Sequence, residues 1–315
     1  MQKTAPAKGP GSDNRDRWGP WSIRSLLFMP VNEERFIAKA HTRGADAIIL
    51  DLEDSVAMSA KPAARQMVPA AAAQIAAHGI DIVTRINSPI RLSIPDLEAV
   101  VCPAVNGIWL PKAESAAHVQ MIAETIAELE AERGMVPGTT WLGVLVETAG
   151  AFFRLNEIAA AHPAVRTIGL GSEDFALSIE VEPSLETLLY PKQHAVIAAR
   201  SAGIAPLGLI GSVVDFSDLD GMRHIVRESR RYGFQGSAVI HPALIPILNE
   251  EFRPRPDEVA RAQGISAAFN EAIKQGKASI QVDGKMVDYP VAYRAERILE
   301  RDALIRAREK RSGRA

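Results

Sequence analysis

Side chains fit for metal and acid–base chemistry recur in short clusters along this chain: Asp51-Leu52-Glu53-Asp54, Arg85-Ile86-Asn87, Pro111-Lys112, Glu147-Thr148 and Gly171-Ser172-Glu173-Asp174. Each cluster closes a short apolar run. Carboxylates gathered from several such run ends would repel one another unless a cation lay among them. Hard oxygen donors without a neighbouring histidine or thiolate suit magnesium better than zinc or copper. Taken singly, the same residues have plainer uses. Glu147 could cap the next helix, Glu53 and Asp54 could be surface charges, and Arg85 could neutralise a nearby carboxylate. Repetition of the pattern at five consecutive run ends favours a common site.

Other chemistries are poorly served. The seven histidines form no HxxxH or HxH pair, which argues against zinc. No G-x-S-x-G elbow supports a serine hydrolase. His241, between an apolar run and Pro242, reads more readily as structural than catalytic. The single cysteine, Cys102, excludes an internal disulfide and reads as a buried, inert thiol in a reducing compartment. Gly169-Leu170-Gly171-Ser172 is better suited to letting backbone amides approach an anionic ligand than to cradling a nucleotide.

The elements that must position these residues follow from the hydrophobic pattern. Runs at 25–31, 47–51, 81–87, 107–111, 141–147, 167–171, 206–210 and 236–240 read as strands buried on both faces. Helical periodicity fills 33–43, 62–77, 115–133, 185–202 and 217–232. Eight strand–helix units predict an α/β protein of the (β/α)₈ TIM-barrel class, with its chemistry at the C-terminal strand ends. An open dinucleotide-binding sheet is disfavoured, because the first strand runs into Pro30-Val31-Asn32-Glu33-Glu34 without a glycine, and no Walker loop occurs.

Residues 1–21 read as a flexible leader lacking a secretory apolar segment, and 22–252 as the barrel. The remainder, 253–315, opens with the stiff connector Arg253-Pro254-Arg255-Pro256. A helix at 257–275, a strand–turn–strand at 279–287 and a final helix at 290–308 follow. This unit is too small to bury a core alone and must pack on the barrel or on a neighbouring subunit. With 315 residues, 47% hydrophobic and 23% charged, the composition is ordinary for a globular protein. A net charge of −2 leaves no nucleic-acid footprint. No apolar run is long enough for a bilayer, and the basic stretch 306–314 reads as a solvated tail. A cytoplasmic protein is expected.

With these residues in hand, the chain resembles the citrate lyase beta-subunit and malyl-CoA lyase family. The resemblance rests on Arg24-Ser-Leu-Leu-Phe-Met-Pro30, Asp51-Leu-Glu-Asp-Ser-Val56 with Lys61 and Arg65, Arg85-Ile-Asn87 and Leu110-Pro-Lys112. Val146-Glu-Thr-Ala149, Gly171-Ser-Glu-Asp174 and Ile240-His-Pro242 complete it. Each motif is weak alone, but seven in order span nearly the whole chain. The resemblance implies magnesium held by Glu147 and Asp174, with Glu53 and Asp54 supporting it through water. Arg85 would lie over the keto acid, and backbone around Gly171, Ser172 and Glu173 would bind its carboxylate. Arg24 and Lys39 are the implied candidates for CoA phosphates. Val282-Asp-Gly-Lys-Met-Val-Asp288-Tyr-Pro290 resembles the helical lid of the longer members, in which an aspartate, here Asp288, completes a neighbour's site in a homotrimer or homohexamer. Ser172-Glu173 departs from the smaller residues frequent in relatives, which blurs substrate identity.

The implied activity is magnesium-dependent cleavage or formation of a 3-hydroxyacyl-CoA, such as malyl-CoA or citramalyl-CoA, to a 2-keto acid and acetyl-CoA. Alternatives are a thioesterase or malate-synthase-like condensing enzyme, an aldolase acting on free keto acids, and a citryl-thioester lyase subunit served by an acyl carrier protein. A non-catalytic binding module has no reason to keep the acidic row.

Overall fold

The computed structural model describes residues 21–211 and 218–314. The first strand, β1 (Ser25–Pro30), pairs in parallel with β2 (Ala47–Asp51), and β2 with β3 (Asp81–Arg85). The series continues through β4 (Gly107–Leu110), β5 (Trp141–Val146), β6 (Val165–Leu170) and β7 (Ala205–Pro206), while β8 (Ser237–Val239) pairs back with β1. Two backbone hydrogen bonds bridge the last seam, Gln235 N–H to Pro206 O at 3.0 Å and Gly208 N–H to Gly236 O at 2.9 Å. The eight strands therefore form the expected closed α/β barrel.

Alternation along each strand sorts the core into two layers. Leu26, Ile49, Val83, Trp109 and Trp141 fill the barrel interior, whereas Leu27, Ile48, Leu50, Ile82 and Ile108 face the helices. The interior is tight: a β-carbon on Gly107 would lie 2.5 Å from the Trp141 ring. The same parity sets the site. Asp51 lies two residues beyond Ile49, and Arg85 two beyond Val83, so both continue the inward rows, and register pairs them.

The helices around the barrel include α1 (Glu34–Ile37), α2 (Lys61–Ala76), α3 (Ile90–Val100), α4 (Ala116–Glu132), α5 (Ala149–Phe152) and α6 (Leu155–Ala159). Beyond β6 come α7 (Ser172–Ser178), α8 (Leu185–Ser201), α9 (Leu219–Arg231) and α10 (Ile245–Glu251). The predicted continuous helix at 33–43 is split into α1 and a 3₁₀ turn, Ala40–Arg43. The first residue of the predicted helix at 217–232 lies outside the described residues. So does the leader, apart from Trp21. That residue is a correction, because it is buried at the barrel base with its ring edge-on to Trp141, 5.4 Å between centroids.

The C-terminal unit comprises α11 (Pro256–Lys274), the hairpin β9 (Ile280–Val282) and β10 (Lys285–Val287), and α12 (Tyr289–Arg311). Its own small core joins Ile265, Phe269, Val287, Ala292 and Ala295. Of the two packings expected for the C-terminal unit, on the barrel or on a neighbouring subunit, the C-terminal half of the final helix shows the first. Arg308 Nη1 contacts Asp81 Oδ2 at 2.7 Å, and Arg301 Nη2 donates to Gln235 O at 2.7 Å. The supposed solvated tail is thereby also corrected, since Arg308, Arg311 and Arg314 all pair with barrel carboxylates. Among the described residues no helix is long and apolar enough to cross a membrane.

Candidate active site

At the C-terminal mouth of the barrel, charged groups form a continuous chain. Arg85 Nε and Nη2 grip Asp51 in a two-pronged pair at 2.6 and 2.7 Å. Its Nη1 lies 2.9 Å from Glu53 Oε2, and the guanidinium stacks over the Phe28 ring at 4.6 Å. The other oxygen of Glu53 takes Lys112 Nζ at 2.7 Å, and the Lys112 backbone N–H donates to Glu147 Oε2 at 3.0 Å. Lys112 reaches both partners because it leaves strand geometry at φ 49°, a left-handed conformation uncommon without glycine. Asp54 is exposed at the rim, 3.5 Å from Lys112 and 3.6 Å from Arg85.

The loop carrying Glu53 is clamped from behind. Buried Lys61 donates to Leu52 O at 2.7 Å and Glu53 O at 2.6 Å, and Asn87 Nδ2 donates to Leu52 O at 3.0 Å. Asp96 ties Asn87 to Arg65, at 2.6 and 2.9 Å. Such support matters because a carboxylate positions a ligand only as well as its own backbone is held.

The electrostatics distinguish two halves. Burial works against ionisation of Asp51, yet the hydrogen bonds and charge of Arg85 hold its carboxyl below the usual range. Burial pushes Glu53 up, only partly opposed by Arg85 and Lys112. Glu147 is the extreme: burial, then the charges of Asp174 and Glu53, push its carboxyl up to about 8. Among the described residues neither Glu147 nor Asp174 has a salt-bridge partner, and Glu53 Oε2 makes no hydrogen bond of acceptable geometry.

A buried carboxylate beside a second, offset only through space by Lys112 and Arg85 and without an ion pair among the described residues, fits a divalent metal. No group of three or more His, Cys, Asp or Glu gathers as a metal shell among the described residues. Magnesium commonly takes one or two protein carboxylates and keeps several waters, so the pair suffices in number. Gly171 permits the approach of Glu147: a β-carbon there would lie 2.7 Å from Glu147 Cγ and 2.9 Å from Oε1. Ser172, Glu173 and Asp174 form the first turn of α7, whose amides have no partner within the helix.

The structure thus gathers Glu53, Asp54, Arg85, Glu147, Gly171, Ser172, Glu173 and Asp174 around one end of the barrel. It does not bring Arg24 there. Arg24 precedes β1, at the opposite end, where its buried guanidinium binds Asp46 at 2.8 and 2.9 Å and Glu309 at 2.9 Å. This overturns its assignment to CoA phosphates, because an arginine at a strand start faces away from the mouth. Lys39 is exposed and makes no described contact with the cluster. Asp288 caps α12, accepting from Val291 N–H at 3.3 Å, and no described contact joins it to the cluster of its own chain. His241 caps a 3₁₀ turn, with Ala243 N–H 3.3 Å from its Nδ1, in keeping with the structural reading.

Sequence reasoning noted Lys112 as a strand-end residue without a task, and missed Lys192. The latter is buried in α8, and its ammonium donates to Ser172 Oγ at 2.6 Å, Gly211 O at 3.2 Å and Leu209 O. It links the α7 turn to the segment that follows β7. Its only sequence signal is a lysine on the apolar face of a helix.

The chain is similar in sequence and fold to known proteins. A family profile described as HpcH/HpaI aldolase/citrate lyase matches residues 24–242. The chain is 34% identical over 289 residues to the citrate lyase subunit beta of Escherichia coli K12, covering 91% of this chain and 95% of that protein. It is 30% identical to the mitochondrial citramalyl-CoA lyase of Homo sapiens, covering 92% and 88%. The structure is similar to that of CitE from Mycobacterium tuberculosis in complex with magnesium, acetoacetate and coenzyme A. The TM-score is 0.69 at 29% identity, over 90% of this chain and 98% of that one.

Proposed function

The chain belongs to the HpcH/HpaI aldolase/citrate lyase family, and from that premise we propose that it is a magnesium-dependent carbon–carbon lyase. Its substrate would be a 3-hydroxyacyl-CoA of the malyl or citramalyl type, split to a 2-keto acid and acetyl-CoA. The observation that carries this reading is the buried Glu147 carboxylate, which lies beside Asp174, forms no ion pair among the described residues and is pushed up to about 8. The M. tuberculosis relative binds magnesium, acetoacetate and CoA together, the three chemistries the reading requires.

Glu147 and Asp174 would hold the metal, which when bound supplies Lewis-acid stabilisation of oxygen charge. In cleavage, the 3-hydroxyl loses its proton as the C2–C3 bond breaks. The electron pair passes to C2 as a thioester enolate, and a proton delivered to C2 gives the acetyl group. Arg85, held by Asp51 and Phe28, would stabilise the oxyanion of the departing keto acid, an electrostatic contribution of several kcal/mol in a water-poor site. Asp54 and Glu53 would orient water around the ion, with Lys112 and Arg85 fixing Glu53. Amides of the Ser172–Asp174 turn would receive the keto-acid carboxylate. Asp288 of a neighbouring subunit, presented by the lid, would exchange the proton at C2, which makes a homotrimer or homohexamer the working form. Lys39 is the remaining basic candidate for a CoA phosphate.

A second reading has its own support: the E. coli and Leuconostoc mesenteroides relatives are citrate lyase beta subunits. This chain would then split a citryl thioester on a carrier protein. Keto-acid release from free malyl-, citramalyl- and citryl-CoA, with a thiol reagent to detect hydrolysis, separates the choices. Glu147→Gln should abolish magnesium-dependent release and the rise in melting temperature on adding magnesium, while melting cooperatively without it. Turnover retained in that variant defeats the metal assignment.

A further inference from the structure

Lys192 interrupts the inner face of α8. The residues that share that face at helical spacing, Leu188, Ala195, Val196 and Ala199, are apolar and buried, and Lys192 itself is only 2% exposed. Enclosing an ammonium is costly unless each of its hydrogens finds an acceptor. Three acceptors surround this one: Leu209 O, Gly211 O at 3.2 Å and Ser172 Oγ at 2.6 Å. Lys192 forms no ion pair among the described residues, and the charge of Glu173 on α7 acts on it only through space.

The two carbonyls tie the segment after β7 to α8, and a tie between backbones needs nothing more. The third bond has a different consequence, because a hydroxyl can either donate or accept. An ammonium has three hydrogens and no lone pair, so it only donates. Ser172 Oγ must therefore accept from Lys192, and its own hydrogen is turned away from the ammonium. Ser172 Oγ makes no second hydrogen bond to a described residue. That hydrogen lies at the mouth. Ser172 follows Gly171, where a β-carbon would meet Glu147 Oε1 at 2.9 Å, and it shares a turn with Asp174. Being half-buried, it stands between the enclosed ammonium and the open end of the barrel.

We propose that Lys192 is a positioning residue, which fixes the Ser172 hydroxyl as a hydrogen-bond donor to the carboxylate of the keto acid. A hydroxyl free to rotate presents a lone pair to an arriving anion as readily as a hydrogen. Lys192 removes that choice, so the donor is ordered by folding rather than by binding. This role rests on the lyase reading for the identity of the ligand, a 2-keto acid.

Calorimetric titration of the full chain with glyoxylate, pyruvate and oxaloacetate, in saturating magnesium, tests it without turnover. At about pH 6 the ammonium is charged, because burial pulls it down only to about 7. At least one of these keto acids should bind. Ser172→Ala should weaken that binding about tenfold, the loss expected of a hydrogen bond to a charged group, and Lys192→Met by a similar factor. Both changes remove the same donor, so the double variant should bind no more weakly than the weaker single one, whereas independent structural losses would multiply. Lys192→Gln, polar enough to serve the carbonyls, takes the place of Lys192→Met if the latter does not fold. In condensation with acetyl-CoA, the Ser172→Ala defect should fall on KM for the keto acid rather than on kcat. This pattern of binding without cleavage of any acyl-CoA would sustain the Lys192 role while defeating the lyase reading. Absence of keto-acid binding, Ser172→Ala binding as tightly as the wild type, losses that multiply in the double variant, or a Ser172→Ala defect confined to kcat would each overturn it.

Discussion

Replacing Gly171 with alanine adds one carbon at the point of closest approach to Glu147. The backbone there has φ −70°, which alanine adopts without strain, so the effect is one of contact rather than conformation. The new carbon would lie 2.7 Å from Glu147 Cγ, against an ordinary separation of ~3.5 Å, so about 0.8 Å must be recovered by movement of the carboxylate or the α7 turn. Magnesium requires oxygen ligands at about 2.0–2.1 Å in near-octahedral array. A shift of that size therefore displaces a ligand by more than a third of the bond length. Misplacement by ~1 Å costs about 10²-fold in rate, equivalent to roughly 2.7 kcal/mol of transition-state stabilisation. Gly171→Ala should thus lower kcat/KM about 10²-fold in a magnesium-saturated keto-acid assay and raise the magnesium concentration for half-activity. Thermal stability without metal should change by less than about 1 kcal/mol, since lost unfolded-chain entropy favours alanine slightly. Wild-type kcat/KM with an unaltered magnesium requirement would refute the claim that Gly171 exists to admit Glu147.

Two further outcomes follow from groups outside the metal pair. Asp288→Asn should depress turnover at least 10²-fold with little change in magnesium affinity, and mixing it with inactive Glu147→Gln should restore part of the activity through hybrid oligomers. No restoration in the mixture would remove the neighbouring-subunit assignment. Burial pulls the Lys192 ammonium down to about 7, opposed only by the charge of Glu173. Between that value and the unfolded value near 10.5 the unfolded chain binds the extra proton, so stability rises with pH by at most about 1.4 kcal/mol per unit and falls as pH drops toward 7. The midpoint of denaturant unfolding should rise less from pH 7 to 9 in Lys192→Met than in the wild type, and identical slopes would dismiss the linkage.

The barrel was legible because strands buried on both faces leave uninterrupted apolar runs, and their ends are where chain parity aims side chains into the mouth. Asp51, Arg85 and Glu147 could be placed on that basis. Helix α3 was not foreseen because Pro89 precedes it and Pro95 interrupts its pattern. Arg24 was misplaced for a different reason. A family motif marks residues that matter without saying which end of a strand they serve, and Arg24 serves the base. The left-handed turn at Lys112 leaves no trace in composition, so its double engagement of Glu53 and Glu147 could not be read. The final helix carried enough arginine to look solvated, yet Asp81 and Asp46 receive those charges in the folded chain.

The bond between Arg24 and Glu309 joins nearly the first described residue to nearly the last. During synthesis, the opening strand waits for a partner that emerges only after the whole barrel has been translated. Asp46 can shelter the guanidinium meanwhile, but the base stays unsealed until α12 arrives. The floor of the barrel is accordingly sealed only once Glu309 has been made, and a stop codon within α12 before that residue would leave Arg24 without this partner.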